Sequence, residues 1–195
     1  MKPVAIGCGV LLIVGLMAGA VFGGMYNNLV GKEEAVKSAW AQVENVYQRR
    51  ADLIPNLVRT VQGAKDFEQE TLQAVVEARS KVGQVNLEGV PSAEQFSQFQ
   101  NAQDSLSSAL SRLLVVVERY PDLKATAAFL DLQSQLEGTE NRIAVERKRF
   151  NEVAQVYNQA RRSFPTALFA GMMGFQERPY FQATPGADTP PEVEF

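Results

Sequence analysis

Apolar residues recur at alternating spacings of three and four positions between Tyr26 and Ser163, without the period-two alternation of a surface strand. Such spacing places the apolar side chains on one face of an α-helix. Amphipathic helices that are joined by short connections pack as an up-and-down bundle. The pattern therefore predicts an all-α fold, with an up-and-down four-helix bundle of long helices over residues 31–163.

A different pattern precedes the bundle, because no charged residue lies between Lys2 and Lys32. A helix needs about 20 apolar residues to cross a bilayer, so this run is long enough for an N-terminal transmembrane helix. Ala18-Gly19-Ala20 is similar to a signal-peptidase site, which makes a cleaved signal peptide the alternative. The apolar character continues past that site to Val30, and this favours a retained transmembrane signal anchor over residues 1–30.

Breakers and capping residues divide the bundle into helices. Neither proline nor glycine occurs between Lys32 and Leu53, so the first helix is predicted to continue straight out of the membrane. Asp52 is predicted to cap a second helix, whose first turn tolerates Pro55. This second helix is predicted to end before Gly83.

The third and fourth helices have further boundary signals. Ser92 opens a capping-box pattern, and Pro121 is predicted to end the helix that begins there. Asp122 is predicted to cap the fourth helix. That helix runs to about Arg162, with Gly138 as a tolerated interior glycine.

Two further segments follow the bundle. Residues 164–182 include a cluster of Phe, Leu and Met that is too short to span a bilayer. One interpretation is an apolar segment that caps one end of the bundle, and the alternative is an interfacial segment that contacts the membrane or another subunit. Residues 183–195 are acidic and proline-rich, and they are predicted to form a disordered tail.

Glycines recur every fourth position inside the charge-free run, at Gly15, Gly19 and Gly23. They would share one face of a membrane helix, where the missing side chains let a second helix approach closely. The alternative is that glycine is simply common in membrane helices. These three glycines are the candidate residues for helix–helix contact in the membrane.

Charged residues also fall on the apolar seams of the predicted helices. A charge on a packing face is costly unless it is paired, so the seams predict a polar network inside the bundle. Its candidate members are Arg49, Arg50, Asp52, Glu140, Asn141 and Arg147. The alternative places the seam charges at the rim of the bundle, in water.

Composition narrows the chemistry. The 195-residue chain has no histidine, and its one cysteine, Cys8, lies in the charge-free run. Ser-His and Cys-His nucleophiles and His-ligated metal sites are therefore excluded. Glu68 and Glu70 are two positions apart and face different ways, which does not suit a metal-binding carboxylate pair on a helix. A net charge of −3 does not favour nucleic acid as a partner. We therefore expect no enzyme, no catalytic or metal-binding residue and no cofactor.

Several strings, in this order along the chain, resemble the LemA family of bacterial membrane proteins. They are YNNLV (26–30), RRADLIPNLVRTVQG (49–63), RLLVVVERYPDLKA (112–125), LEGTENRIAVERKRFNEVAQVYN (136–158) and GFQERPYF (174–181). Together with the anchor, the resemblance covers nearly the whole chain. It implies a membrane-anchored four-helix bundle and no settled biochemical activity, so it assigns no functional residue.

These observations predict a non-enzymatic, membrane-anchored helical scaffold that self-assembles or binds a membrane partner. The alternative is an adaptor that regulates a membrane enzyme such as a protease.

The expected partners are the lipid bilayer, further copies of the chain and a membrane protein. The expected location is the bacterial cytoplasmic (inner) membrane, as a single-pass protein. The two-residue head before the span favours an extracytoplasmic soluble domain.

Overall fold

The computed structural model describes residues 2–65, 67–85 and 89–182 of the chain. These residues form α1 (Lys2–Gln62), α2 (Gln69–Gln84), α3 (Ala93–Val117), the one-turn α4 (Pro121–Lys124), α5 (Ala127–Arg162) and a 3₁₀ turn (Thr166–Leu168). They contain no strand, so the predicted all-α fold is confirmed. The predicted disordered tail, 183–195, lies outside the described residues.

Helix α1 is unbroken for 61 residues, about 92 Å at the rise of an α-helix. The predicted boundary at Asp52 is wrong, because α1 continues through Asp52 and Pro55 to Gln62. A helical proline removes the hydrogen bond to the carbonyl of residue i−4, which is Ala51 here. Nε of Arg79 in α2 donates to that oxygen at 3.2 Å. The carbonyl that Pro55 leaves without a helical partner is therefore satisfied from the neighbouring helix.

The second helix begins later than predicted. A connection separates Gln62 from Gln69, so most of the first turns assigned to this helix belong to α1. Gly63 directly follows α1. Helix α2 includes Gly83 and ends at Gln84, so the predicted stop before Gly83 is also wrong.

The start of α3 confirms the capping box. The backbone N–H of Gln95 donates to Oγ of Ser92 at 3.3 Å, and the N–H of Ser92 donates to Oε1 of Gln95 at 3.0 Å. The helix ends at Val117, four residues ahead of Pro121, which begins α4. A proline is favourable in a first helical turn because its missing N–H has no helical partner there.

Helix α5 begins five residues after the predicted cap. Asp122 lies in α4, and the residue that caps α5 is Thr126, whose Oγ1 accepts from the N–H of Phe129 at 3.3 Å. The predicted end at Arg162 is confirmed, as is the placement of Gly138 inside the helix.

The four long helices enclose two core clusters, with α1 packed along α5 and α2 along α3. The distal cluster, far from the charge-free run, includes Ile54, Leu57, Leu113 and Leu136. The proximal cluster, on the side of that run, includes Trp40, Phe96, Phe150, Tyr157 and Phe181. The two clusters meet at the level of Arg50 on α1.

Replacing Gly138 with alanine is expected to raise the free energy of unfolding by about 1 kcal/mol. Alanine is better than glycine inside a helix by about this amount, and an added Cβ at Gly138 meets no atom within 4 Å. The matched control is Gly174→Ala, which should destabilise because Gly174 has φ of +86°. Urea titration of both variants measures the two shifts, and a loss of stability in Gly138→Ala would contradict the reasoning.

Candidate functional site

A buried arginine links three helices between the two core clusters. Arg50 is 1% exposed, and its Nη1 donates to both carboxylate oxygens of Glu140 on α5, each at 3.0 Å. The same nitrogen donates to Oγ of Ser107 on α3 at 2.8 Å. Nη2 donates to the side-chain and backbone oxygens of Gln103, also on α3. One guanidinium therefore ties α1, α3 and α5 together.

Tyr47 completes the surroundings of this guanidinium. The Arg50 guanidinium carbon lies 5.0 Å from the centroid of the Tyr47 ring, a cation–π distance. Burial raises the pKa of the Tyr47 phenol, so this ring remains neutral at physiological pH. The arrangement suits structural stabilisation, because the terminal nitrogens of the guanidinium donate to acceptors and its face meets an aromatic ring. Nε of Arg50 is buried without a hydrogen-bond partner among the described residues.

The structure brings together only part of the predicted polar network. Arg50 and Glu140 pair directly. Asp52 is exposed and accepts from Nε2 of Gln48 at 2.8 Å, one turn earlier on α1. The remaining candidates lie elsewhere: Arg49 and Asn141 are exposed on the helix surfaces, and Arg147 faces the end of the described chain.

The C-terminal part of the described chain, residues 175–182, runs antiparallel to α5 and is called the strap here. Two asparagines on α5 hold it through the backbone. Oδ1 of Asn158 accepts from the N–H of Arg178 at 2.9 Å, and its Nδ2 donates to the carbonyl of Arg178 at 2.8 Å. Asn151 makes the same pair of bonds with Phe181, at 2.8 and 2.9 Å. Each amide therefore satisfies both backbone groups of one strap residue.

Charged and phenolic groups add to the strap contacts. Nη2 of Arg178 pairs with Glu33 on α1 at 2.6 Å, and neither side chain is more than a quarter exposed. The hydroxyl of Tyr157 donates to the carbonyl of Gln176 at 2.8 Å. Burial raises the pKa of Tyr157, so its proton is retained for this bond. The strap consequently connects α5 to α1 just above the charge-free run.

Phe181 inserts the end of the strap into the proximal cluster. Its ring centroid lies 4.5 Å from that of Phe96, 5.6 Å from that of Phe150 and 6.2 Å from that of Trp40. The guanidinium of Arg147 covers the ring at 4.7 Å and donates to the carbonyl of Gln182 at 3.0 Å. Three of the long helices thus converge on one strap residue.

Sequence reasoning missed the strap, although α5 carries a signal for it. Asn151 and Asn158 lie seven residues apart, each directly after a buried aromatic residue of the seam. That spacing repeats the same face of a helix after two turns. Asn158 is completely buried, and a buried amide needs polar partners. The pair of asparagines on the seam therefore indicated a polar partner for this face of α5, but not that the partner would be the strap.

A sequence model of the LemA family matches residues 39–195. This chain belongs to the LemA family. The match contains four of the five strings that carried the resemblance, including the string with both strap-binding asparagines, and YNNLV precedes it. The membership predicted from those strings is confirmed.

The LemA-family relatives of this chain include magnetosome proteins. Magnetosome protein MamQ 2 of Paramagnetospirillum magneticum is 26% identical over 184 residues, covering 85% of this chain and 67% of the relative. Protein LemA of Metamycoplasma hominis is 26% identical over 164 residues, covering 84% of this chain and 72% of the relative. MamQ of Magnetospirillum gryphiswaldense has the same identity and coverage as MamQ 2. None of these names describes an enzyme.

Residues 11–24 of the charge-free run in this LemA-family chain lie outside both core clusters, whereas Leu29, near the end of the run, is buried in the proximal cluster. Among the described helices, α1 contains over Leu11–Gln62 an apolar stretch that is long enough to cross a membrane. Its side chains from residue 11 to residue 24 are exposed. A Cβ added at Gly15, Gly19 or Gly23 meets none of the described residues within 4 Å. The candidate glycine face is therefore open, and its role in helix–helix contact stays a prediction.

Several carboxylates of the bundle, including Glu68, lie in ion pairs. Oε1 of Glu68 lies 2.6 Å from Nη2 of Arg119, and its Oε2 accepts from the hydroxyl of Thr71 at 3.2 Å. Across the described ranges, no group of three or more Cys, Asp or Glu side chains has the arrangement of a metal site. The geometry of the described residues is that of packing and helix-to-helix linkage.

Proposed function

We propose that this LemA-family chain is a non-enzymatic scaffold, anchored in the bacterial cytoplasmic membrane by α1, that self-assembles and positions its bundle for a membrane partner. The observation that carries the proposal is the continuity of α1. The same helix contributes the exposed apolar run, residues 11–24, and six of the fifteen buried residues that the described chain places in the proximal cluster. Anchor and bundle therefore share one rigid element rather than a linker.

The contacts of Arg50 and the strap support a scaffold because they fix α1 within the bundle. Arg50 ties it to α3 and α5, and the pair between Glu33 and Arg178 ties it to the strap. A membrane helix that is held in this way transfers its own position to the whole domain.

The open glycine face supports self-assembly through the membrane. Small residues four apart allow two helix backbones to approach closely, and van der Waals packing then stabilises the pair. No described residue occupies this face, so a second copy is the occupant that the proposal assigns to it.

Replacing Gly15 and Gly19 together with leucine is expected to reduce the mass of the detergent-extracted assembly. The added side chains would hold the helices apart and remove most of the packing contact. Sedimentation equilibrium in a density-matched detergent measures the protein mass. The matched control is Ala20→Leu, compared with Gly19→Leu alone; it adds the same bulk about 100° away from Gly19 and should leave the mass unchanged. Equal masses for wild type and the glycine variant would exclude the span from assembly.

Crosslinking in native membranes separates the scaffold from an adaptor of a membrane enzyme. Products that contain two or more copies of the chain are expected for the scaffold. Products that contain a single copy joined to a membrane protease or another enzyme would favour the adaptor instead. Recovery of the monomer alone would contradict the proposed self-assembly.

A further inference from the structure

An exposed apolar surface lies between the end of α5 and the strap. Residues 164–174, called the apolar segment here, contain no charged residue. Phe164, Leu168 and Met172 in this segment are 83%, 62% and 84% exposed. Large apolar side chains that are grouped on a surface usually mark a contact with a protein or a membrane.

The apolar segment is held against the charge-free run of α1. The ring centroid of Phe169 lies 4.3 Å from that of Phe22, and the centroid of Phe175, directly after the segment, lies 5.6 Å from that of Tyr26. Phe22 lies ten residues before Lys32, about 15 Å along the helix. The segment therefore lies at the level of the last turns of the apolar run, below the charged part of the bundle.

The space between this segment and α1 is also apolar. A cavity of about 470 Å³ opens there, and all its lining residues are apolar: Val14, Met17, Ala18, Val21, Phe22 and Met25 from α1, with Pro165 and Phe169 opposite. Water in such a cavity would find no polar side chain. Lipid acyl chains match it chemically, and they already surround α1 if this helix spans the bilayer.

We propose that the apolar segment is a second membrane contact, which inserts Phe164, Leu168 and Met172 at the boundary between the lipid headgroups and the hydrocarbon. The proposal rests on the proposed function, because it requires α1 to span the membrane. At eleven residues the segment is too short to cross a bilayer, but interfacial elements bury an apolar face to a depth of about 5–10 Å. The lipid bilayer is the occupant because the exposed face continues the exposed surface of α1.

The flanking charges agree with this depth. Arg161 and Arg162 end α5 directly before the segment, and Glu177 follows it. Nε of Arg161 donates to the carbonyl of Phe175 at 2.9 Å, which places this guanidinium at the level of Tyr26. Arginine and tyrosine at that level are typical of the membrane–water interface. The bilayer would thus meet the protein at α1 and at the apolar segment.

Site-directed spin labelling of the full chain in lipid nanodiscs tests the proposal. Cys8, the only cysteine, is first replaced with alanine, and single cysteines are introduced at Leu168, Met172, Leu16 and Val145. Val145 is a matched control because it is 62% exposed, like Leu168, and lies about 24 Å along α5 from Arg161. Power saturation with oxygen, which concentrates in lipid, and with a nickel chelate, which remains in water, reports the surroundings of each label.

Labels at positions 168 and 172 are expected to collide more often with oxygen than with the chelate, as the label at 16 does, whereas the label at 145 shows the reverse. If the label at 16 is in lipid but those at 168 and 172 behave like 145, the second contact is refuted while the anchor stands. Labels at 168 and 172 that neither reagent reaches would indicate a protein contact and overturn the lipid assignment. A label at 16 that lies in water would refute the anchor, and the second contact with it.

Unchanged emission of Trp40 shows that each labelled variant is folded. Trp40 is the only tryptophan of the chain and is buried in the proximal cluster. Its emission therefore reports the integrity of the bundle next to the membrane, independently of the label.

Discussion

Replacing Glu140 with leucine is expected to lower the free energy of unfolding by about 3 kcal/mol, because the buried guanidinium of Arg50 loses its counter-charge. Removal of one partner of a buried pair costs about 3–5 kcal/mol. The lower end applies here because the Glu140 side chain is 52% exposed, so water already reaches one side of the pair. Urea titration of the full chain in a non-ionic detergent, followed by Trp40 fluorescence, measures the loss.

Glu137→Leu is the matched control for this substitution. Glu137 lies one turn earlier on α5, is exposed, and accepts from Gln133 on the same helix at 3.0 Å. Its replacement should change stability by no more than about 0.5 kcal/mol. The double variant Arg50→Leu/Glu140→Leu should recover part of the loss, since no buried charge remains. If Glu140→Leu is as stable as wild type and assembles equally well, the pair is unnecessary to the fold.

Replacing Phe181 with alanine is expected to cost about 3 kcal/mol and to shift the emission of Trp40 to longer wavelength. Truncation of a buried Phe to Ala costs about 3–5 kcal/mol, and Phe181 is only 7% exposed. Because its ring contacts Trp40, Phe96 and Phe150, its loss leaves a cavity that water can enter from the strap side. The urea titration and the emission spectrum of the folded state measure the two effects.

Phe164→Ala provides the comparison, since Phe164 lies in the same C-terminal region but outside the core. Its effect in the absence of lipid should be within about 0.5 kcal/mol, with no shift of the Trp40 emission. If Phe181→Ala behaves like Phe164→Ala, the strap is not held to the bundle in solution.

Apolar periodicity predicted the long helices, because the apolar stripe that each helix buries is visible in that helix's own sequence. It could not place the break at Gly63, where the spacing continues across a connection. The local signals at Asp52 and Pro55 were misleading, because a contact from another helix decides the structure there. A helix was predicted to start there, but Arg79 of another helix supplies the hydrogen bond that makes a start unnecessary.

The polar site around Arg50 was also predictable only in part. The seam positions of Arg50 and Glu140 marked them as residues that need partners. Gln103 and Ser107 could not be predicted in the same way. A neutral polar residue on a helix has a smaller free-energy cost of burial than a charge, so its position gives no comparable signal in the sequence. The strap could not be predicted from its own sequence, because an extended segment has no helical periodicity. Its conformation is fixed by side chains of α5.

An unbroken α1 that spans the membrane as proposed would transmit any tilt of its apolar run directly to the bundle. From Lys32 to Gln62 the helix extends about 45 Å beyond the apolar run. A change of about 10° in the tilt of the span would therefore swing the distal end of the bundle sideways by about 8 Å. Changes in bilayer thickness alter helix tilt. The position of the distal cluster would therefore depend on the thickness of the bilayer that surrounds the apolar run.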